Sequence, residues 1–116
     1  MNIVVTGSAG FIGYHLCIKP LKTKHKIIGI DSINNYYSIK IKKDRLKNLK
    51  SYKNFKFYKN DLTQNNVLNK IFKLNKINIV IHLAAQAGVR YSLKNPYSYT
   101  QNNLVAFSNI LEISKI

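Results

Sequence analysis

Acidic residues are scarce in this 116-residue sequence, which has 4 Asp and Glu against 19 Lys and Arg and a formal net charge of +15. Such a charge is typical of proteins that bind nucleic acids or acidic surfaces. However, 17 of the basic residues are lysines, scattered from Lys19 to Lys115 without a block of five. We therefore expect non-specific binding to polyanions at low salt and no specific nucleic-acid partner.

Cysteine and long apolar runs are also rare. The single cysteine, Cys17, excludes an internal disulfide and a metal site built from cysteines alone. No apolar run approaches the roughly 20 residues that a membrane-spanning helix requires. Because the sequence starts directly with a predicted strand and shows no signal peptide, we expect a cytoplasmic protein. We also expect no membrane partner, since no apolar run is long enough, and no bound metal.

Glycine is infrequent too, yet three of the five glycines follow closely on the apolar run Ile3-Val4-Val5. This order predicts a buried strand, a tight turn and a helix whose N-terminal amides point at a pyrophosphate. Gly7 would allow the tight turn and Gly10 the approach of the backbone to the phosphates. Gly13 would allow close packing of the helix against the strand.

The helix after this turn is predicted over residues 10–19, because Pro20 cannot continue a helix. Phe11, Ile12 and Leu16 are expected to form its inner, apolar face. This flanking pattern favours a nucleotide-binding turn over the alternative interpretation, a flexible surface loop.

The eight residues from Thr6 to Gly13 resemble the T-G-x-x-G-F-I-G fingerprint of the extended short-chain dehydrogenases/reductases. This family contains NAD-dependent epimerases and dehydratases of sugar nucleotides. The resemblance implies NAD as the cofactor. The resemblance also implies that the cofactor is bound by Gly7, Ala9, Gly10, Phe11, Ile12 and Gly13.

A second strand is predicted over residues 26–30 and ends on Asp31, 18 positions after Gly13. A carboxylate at the tip of this strand can accept hydrogen bonds from an adenosine ribose and would repel a 2′-phosphate. We therefore predict NAD rather than NADP, with Asn34 as a further ribose contact. The alternative is a solvated Asp31 that caps the segment after it.

A lysine-rich helix is predicted over residues 39–49 and a third strand over residues 55–58. Asp61 and Leu62 follow this strand. The resemblance places the Asp61 carboxylate near the amino group of adenine and Leu62 on the face of the ring. Asp61 has a second interpretation, compatible with the first, as the N-cap of a helix over residues 64–74.

Residues 79–85 are predicted to form the fourth strand and its exit, and they resemble the V-I-H-L-A-A segment of the same family. The resemblance implies that Leu83, Ala84 and Ala85 pass beneath the nicotinamide ribose and the pyrophosphate. His82 lies on this apolar strand without a cysteine, carboxylate or second histidine at ligand spacing. We interpret His82 as a hydrogen-bonded core histidine and not as a catalytic or metal-binding group.

The string Ala-Ala-Gln-Ala-Gly-Val-Arg-Tyr-Ser, which begins at Ala84, is similar to that of the UDP-glucuronate 4-epimerase group. It leaves the carboxyl end of a central strand, where open α/β sheets bind ligands. Arg90 is predicted to face the sugar nucleotide, since its guanidinium suits a carboxylate or a phosphate; a surface charge is the alternative. In the last helix, predicted over residues 96–116, Asn102 and Asn103 match a position where the family has an asparagine near the cofactor, and the resemblance assigns this contact to Asn102. A hydrogen bond that braces a loop is the alternative.

These elements predict an α/β, Rossmann-type parallel sheet with strand order 3-2-1-4 and helices on both faces. We expect residues 1–116 to form one NAD-binding domain. The resemblance implies that this domain is the N-terminal portion of an enzyme whose remaining part is missing from this sequence. The family's catalytic Tyr-x-x-x-Lys pair and C-terminal substrate domain are expected beyond it, so no catalytic residue is assigned. Two such strings, starting at Tyr36 and Tyr52, lie between the second and third strands and are interpreted as chance matches.

The predicted function is the NAD-binding part of a nucleotide-sugar 4-epimerase, in which a hydride leaves C4 of a UDP-glucuronate-like UDP-sugar and returns to it. The chain alone is expected to be inactive, and intact family members are often homodimers. The alternatives are part of a 4,6-dehydratase or reductase, which shares the glycine turn and Asp31, and a non-catalytic dinucleotide-binding module. A third alternative is a basic protein that binds nucleic acids. Its binding would weaken steeply as the salt concentration rises and would not depend on NAD.

Overall fold

The sheet is built from four parallel strands in the order β3-β2-β1-β4. A computed structural model describes residues 1–33, 38–84 and 93–115 of the chain, apart from the side chains at positions 98, 99, 101 and 102. The strands are β1 (Asn2–Thr6), β2 (Lys26–Asp31), β3 (Phe55–Lys59) and β4 (Ile79–His82). The predicted α/β architecture and strand order are confirmed.

Three helices connect the strands: α1 (Phe11–Leu21), α2 (Ile39–Lys50) and α3 (Asn65–Asn75). After β4, α4 (Pro96–Tyr99) continues into a π-helical stretch (Thr100–Val105) and then into α5 (Ala106–Ile113). The sequence pattern predicted one continuous helix here. A π-helical turn contains more residues than an α-helical turn, so an apolar period of 3.6 residues cannot reveal it.

Alternation along the strands divides the core into two clusters, one on each face of the sheet. Ile3 and Val5 pack with residues of α1 and α2, whereas Val4 packs with residues of α3 and α5. In β2, Ile27 belongs to the first cluster and Ile28 to the second. Helices therefore cover both faces of the sheet, as a parallel sheet of nearly continuous apolar strands requires.

The end of α1 differs from the prediction, because Pro20 lies inside the last turn and does not end the helix before it. Proline removes one amide hydrogen bond, and only one helical residue follows it here. The helix is closed by the amides of Lys22 and Thr23, which donate to the carbonyls of Ile18, Lys19 and Pro20.

The inner face of α1 also differs from the prediction. Phe11 and Ile12 are 68% and 65% exposed, and the buried residues are Gly13, Cys17 and Leu21. These three share one helical face at spacings of four residues, so the contact at Gly13 determines which side of α1 faces the sheet. Burial raises the pKa of the Cys17 thiol to about 12, which makes this residue an unreactive packing group.

Within the part of the chain that the structure describes, no helix is both long and apolar enough to cross a membrane.

Two leucines of α3 provide a matched test of the core. Leu68 is fully buried, whereas Leu74 is 72% exposed. Leu68→Ala should lower the free energy of unfolding by about 2–5 kcal/mol, since it removes methyl groups from a packed cluster and leaves a cavity. Leu74→Ala should change it by less than about 0.5 kcal/mol. Urea denaturation followed by circular dichroism measures both, and equal losses would contradict the helix orientation described here.

Candidate dinucleotide-binding site

The turn after β1 has the conformation that only glycine adopts readily. Gly7 has φ +72°, in the left-handed region. Its amide donates to the Ile30 carbonyl at 2.8 Å, and its carbonyl accepts from the Gly10 amide at 3.0 Å. A Cβ at Gly7 would also lie 3.0 Å from the Ala84 nitrogen, so the exit of β4 runs directly against this turn.

Helix α1 begins against the same turn, and Gly13 is the point of contact. A Cβ at Gly13 would lie 2.1 Å from the Gly7 carbonyl oxygen, which is closer than van der Waals contact allows. At Gly10 a Cβ would meet that same oxygen at 3.2 Å and no other described atom within 4 Å. The two glycines therefore differ in degree: a side chain at Gly13 would overlap the turn, whereas one at Gly10 would make a single tight contact with it.

The first turn of α1 presents amides suited to an anion. Gly10 is the N-cap and offers no side chain to cap the helix, and the first bond of the helical ladder runs from the Tyr14 amide to the Gly10 carbonyl at 3.0 Å. The amides of Phe11 and Ile12 consequently have no carbonyl partner within the helix. Together with the helix dipole, this arrangement fits a pyrophosphate.

Asp31 connects the tip of β2 to the glycine turn. Its Oδ2 accepts from the Ala9 amide at 3.0 Å and its Oδ1 from the Ile33 amide at 2.8 Å. Each carboxylate oxygen keeps a further lone pair, which a ribose hydroxyl could use. The bond from Ile33 agrees with the alternative interpretation, in which Asp31 caps the segment after it, and the ribose contact stays a prediction. Helix α2 has its own cap, Ser38, which accepts from the Ile41 amide.

Two residues of α2 that sequence reasoning did not assign also lie at this turn. The Arg45 guanidinium donates to the Ala9 carbonyl at 3.1 Å, and Lys42 is only 5% exposed. Burial lowers the pKa of Lys42 and the Arg45 charge lowers it further, whereas the Asp31 charge raises it. The spacing of Lys42, Leu46 and Leu49 on one face of α2 was a signal that Lys42 would be buried.

The exit of β4 is held by the Thr6 hydroxyl at the end of β1. This oxygen accepts from the amides of Leu83 at 3.0 Å and Ala84 at 3.1 Å, and it lies 2.7 Å from Nδ1 of His82. Because two acceptor bonds occupy both lone pairs, the hydroxyl proton is donated to His82, whose own proton is then on Nε2. The His82 ring stacks on Phe107 with centroids 5.6 Å apart. The prediction of a hydrogen-bonded core histidine is confirmed.

The exit of β3 carries Asp61 and Leu62. Oδ1 of Asp61 accepts from the Thr63 amide at 3.0 Å and from the Thr63 hydroxyl at 2.8 Å. The N-cap of α3 is Gln64, so the interpretation of Asp61 as that cap is wrong: Asp61 instead closes the turn that precedes the helix. Leu62 is 6% exposed and packs in the same cluster as Ala106. The adenine contacts of both residues stay predictions.

Several predicted site residues lie outside the described part of the chain: Asn34, Ala85 and Arg90 entirely, and Asn102 with respect to its side chain. Tyr52 precedes β3 and packs in the cluster with α1 and α2. It therefore lies at the amino ends of the strands, whereas the glycine turn and Asp31 lie at the carboxyl ends. This placement supports the interpretation of the Tyr52 to Lys56 string as a chance match.

A parallel sheet with a glycine turn after its first strand, free helix amides behind the turn and an aspartate at the tip of the second strand defines a Rossmann-type dinucleotide-binding fold. The chain belongs to the family described as GDP-mannose 4,6 dehydratase, whose family model matches residues 4–116. The resemblance to NAD-dependent epimerases and dehydratases of the extended short-chain dehydrogenase/reductase type is thereby confirmed.

Individual relatives agree with this assignment. The chain is 50% identical over 115 residues to Protein CapI of Staphylococcus aureus, covering 99% of this chain and 34% of that protein. It is 39% identical to UDP-glucuronate 4-epimerase 1 of Arabidopsis thaliana, covering 99% of this chain and 27% of that enzyme. The crystal structure of Bacillus cereus UDP-glucuronic acid 4-epimerase with UDP-glucuronic acid and NAD superposes with a TM-score of 0.91 at 36% identity, covering 99% of this chain and 36% of the other.

The chain thus spans about a third of the length of the relatives that it matches.

Alanine at Gly13 and at Gly10 should have unequal effects. Gly13→Ala should lower the free energy of unfolding by about 2 kcal/mol or more, because its Cβ forces α1 away from the Gly7 carbonyl. Gly10→Ala should cost about 1 kcal/mol, since its Cβ would meet the same oxygen at 3.2 Å, a contact that a small backbone shift relieves. Urea denaturation of both variants measures the difference, and a Gly13→Ala variant no less stable than Gly10→Ala would refute the close contact.

The stability of the chain should fall in mild acid through His82. Burial lowers the pKa of His82 below its ordinary value of 6.5, and the bond from Thr6 requires a neutral ring. The unfolded chain therefore binds this proton more readily, so the stabilisation present above about pH 6.5 is lost as the pH falls through the lowered pKa. We expect the free energy of unfolding to drop less between about pH 7 and pH 5 in His82→Gln than in the wild type.

His15, which is exposed on α1, provides the control for this experiment. His15→Gln should retain the pH dependence of the wild type, measured by urea denaturation at each pH. The assignment to His82 is refuted if both variants retain it equally.

Proposed function

We propose that this chain supplies the NAD-binding part of a nucleotide-sugar 4-epimerase that acts on UDP-glucuronate or a closely similar UDP-sugar. The observation that carries the proposal is the Asp31 carboxylate, held 3.0 Å from the Ala9 amide inside the glycine turn. With Asp31 as the ribose acceptor, the ribose would lie directly beside the amides that suit a pyrophosphate. The identities of 36% and 39% to UDP-glucuronate 4-epimerases support the choice of reaction and of sugar.

The cofactor would bind along the carboxyl ends of the strands. The amides of Phe11 and Ile12 would hold the pyrophosphate, with Gly10 leaving room for it, and Asp31 would accept from the adenosine ribose. Because a carboxylate at this position repels a 2′-phosphate, NAD is expected to bind more tightly than NADP. The further assigned contacts are Asn34, Asp61 and Leu62 on the adenosine side, Leu83, Ala84, Ala85 and Asn102 on the nicotinamide side, and Arg90 toward the sugar nucleotide.

Bound NAD would accept a hydride from C4 of the sugar and return it to the opposite face. The residues of this chain would bind and orient the cofactor, and the β4 exit, held by Thr6, would form the floor of the nicotinamide side. The proton of the 4-hydroxyl would require a tyrosine of the family's Tyr-x-x-x-Lys pair, which the string at Tyr52 does not supply. We therefore expect the chain to bind NAD without catalysing epimerisation by itself.

A 4,6-dehydratase or reductase is the second candidate, because the matching family model is described as a GDP-mannose 4,6 dehydratase. Such enzymes share the glycine turn and Asp31, and the identity to UDP-glucuronate 4-epimerases favours epimerisation. Turnover by a chain that includes the Tyr-x-x-x-Lys pair would distinguish them, since a dehydratase releases water and an epimerase does not.

Calorimetric titration of the 116-residue chain with NAD⁺ at near-physiological salt tests the proposal. We expect saturable binding that Asp31→Ala weakens about tenfold or more, because hydrogen bonds to a charged group contribute about 1.5–3 kcal/mol. Asp44→Ala, which makes the same charge change at an exposed position of α2, should bind like the wild type.

Circular dichroism of each variant verifies that it is folded. Absence of NAD binding by the folded wild-type chain would disprove the proposal. Equal weakening by the two aspartate variants would show that net charge, and not the ribose contact, governs binding.

A further inference from the structure

A groove runs along the outer edge of the sheet, between α2 and β3. Its volume is about 630 Å³. We call it the β3 groove, and it is lined by Ile33, Lys43, Leu46, Lys47, Lys50, Ser51, Phe57 and Lys59. The groove borders the adenosine side of the candidate dinucleotide site, because the Ile33 amide donates to Asp31 and Lys59 is the strand partner of Asp31. The glycine turn itself follows β1, two strands further into the sheet.

The groove lies beside a strand edge that pairs with no other described strand. Along the ladder between β2 and β3, the Ile27 amide donates to the Asn54 carbonyl and the Asn60 amide donates to the Asp31 carbonyl. In a parallel ladder the residues that face the neighbouring strand alternate, so 54, 56, 58 and 60 bond toward β2. The amides and carbonyls of Phe57 and Lys59 therefore point outward, where an extended peptide could pair with them.

The side chains of the groove combine an apolar floor with a basic rim. Leu46 and Phe57 form the floor, and the exposed rim residues are Lys43, Lys47, Lys50 and Lys59. Nζ of Lys50 lies 5.4 Å from the centroid of the Phe57 ring, so the charge and the apolar surface are adjacent. No residue that lines the groove is acidic.

These charges select the class of partner. Lysines on an edge strand prevent pairing with a second copy of the same strand, because two lysine-rich edges repel each other. The net charge of +15 makes this repulsion stronger for a copy of the whole chain. An acidic strand would be attracted to the same edge, and alternating side chains would direct its apolar residues to one side.

We propose that the β3 groove binds an extended, acidic segment of another protein by strand addition to β3. Backbone groups of the segment pair with Phe57 and Lys59, an apolar side chain packs over Phe57 and Leu46, and carboxylates lie at the lysine rim. A nucleic acid would use the lysines and could stack a base on Phe57, but it has no peptide backbone to pair with the strand edge as a further strand.

The probe is the synthetic peptide Glu-Val-Glu-Phe-Glu-Val-Glu, blocked at both ends and titrated into the ¹⁵N-labelled chain. We expect saturable shifts of the backbone amide signals of Phe57 and Lys59, and slower hydrogen exchange at those amides. A peptide with proline in place of both valines keeps the charge but lacks the two valine amides, and it should bind about tenfold more weakly. A single-stranded oligonucleotide of similar charge should not slow the exchange.

Charge-reversal variants locate the surface. Lys47→Glu combined with Lys50→Glu should weaken the peptide about tenfold, because attraction at the rim becomes repulsion. Lys70→Glu combined with Lys73→Glu makes the same change in net charge on exposed positions of α3 and should weaken it about twofold or less. NAD is absent from these titrations, so it does not compete with the peptide.

Any of four results overturns the inference: no saturable binding by the folded chain, equal binding of the proline peptide, equal weakening by the two lysine pairs, or the same amide protection by the oligonucleotide. The second and the fourth would indicate attraction by charge alone.

Discussion

The contact between Gly13 and the Gly7 carbonyl oxygen is the constraint on which the rest of the candidate site depends. With no side chain at position 13, α1 can begin directly on the turn, and its free amides then point across Gly10 toward the carboxyl ends of the strands. The same turn lies against the exit of β4, because Gly7 has no Cβ to separate it from Ala84. One close approach of backbones thus positions three segments of the site.

Hydrogen bonds to the residues around this turn make it rigid from several sides. Asp31 accepts from the Ala9 amide, Arg45 donates to the Ala9 carbonyl, and Thr6 accepts from the two amides at the β4 exit. Each of these side chains comes from a different element, so folding must be complete before the site exists. A preorganised backbone cradle of this kind binds phosphate with little ordering of the protein.

The basic side chains and the exposed apolar side chains lie at opposite edges of the sheet. Lysines surround the β3 edge, whereas apolar side chains are exposed on the opposite side of the sheet, near β4: Leu83, Leu104, Phe107 and Leu111 are between 37% and 66% exposed. The chain spans about a third of the length of its relatives, and we expect further strands and helices of such a protein to cover the apolar side. The basic edge would remain open to solvent and to acidic partners.

The order of strands and helices, the position of the glycine turn and the place of Asp31 were determined by the sequence itself. These features follow from local rules: apolar runs form buried strands, three spaced glycines form a turn, and an acidic residue ends the second strand. Local pattern also identified His82 as a core residue, since no ligand-forming neighbour accompanies it.

The tertiary structure alone decided which side of α1 is buried, where Arg45 lies and that Pro20 is accommodated inside a helix. Arg45 meets Ala9 across 36 residues of sequence, and the inner face of α1 is selected by a backbone contact at Gly13 and not by the most apolar residues of the helix. The π-helical stretch and the β3 groove belong to the same group of features. Contacts between distant segments created them, and periodicity within one segment carries no information about such contacts.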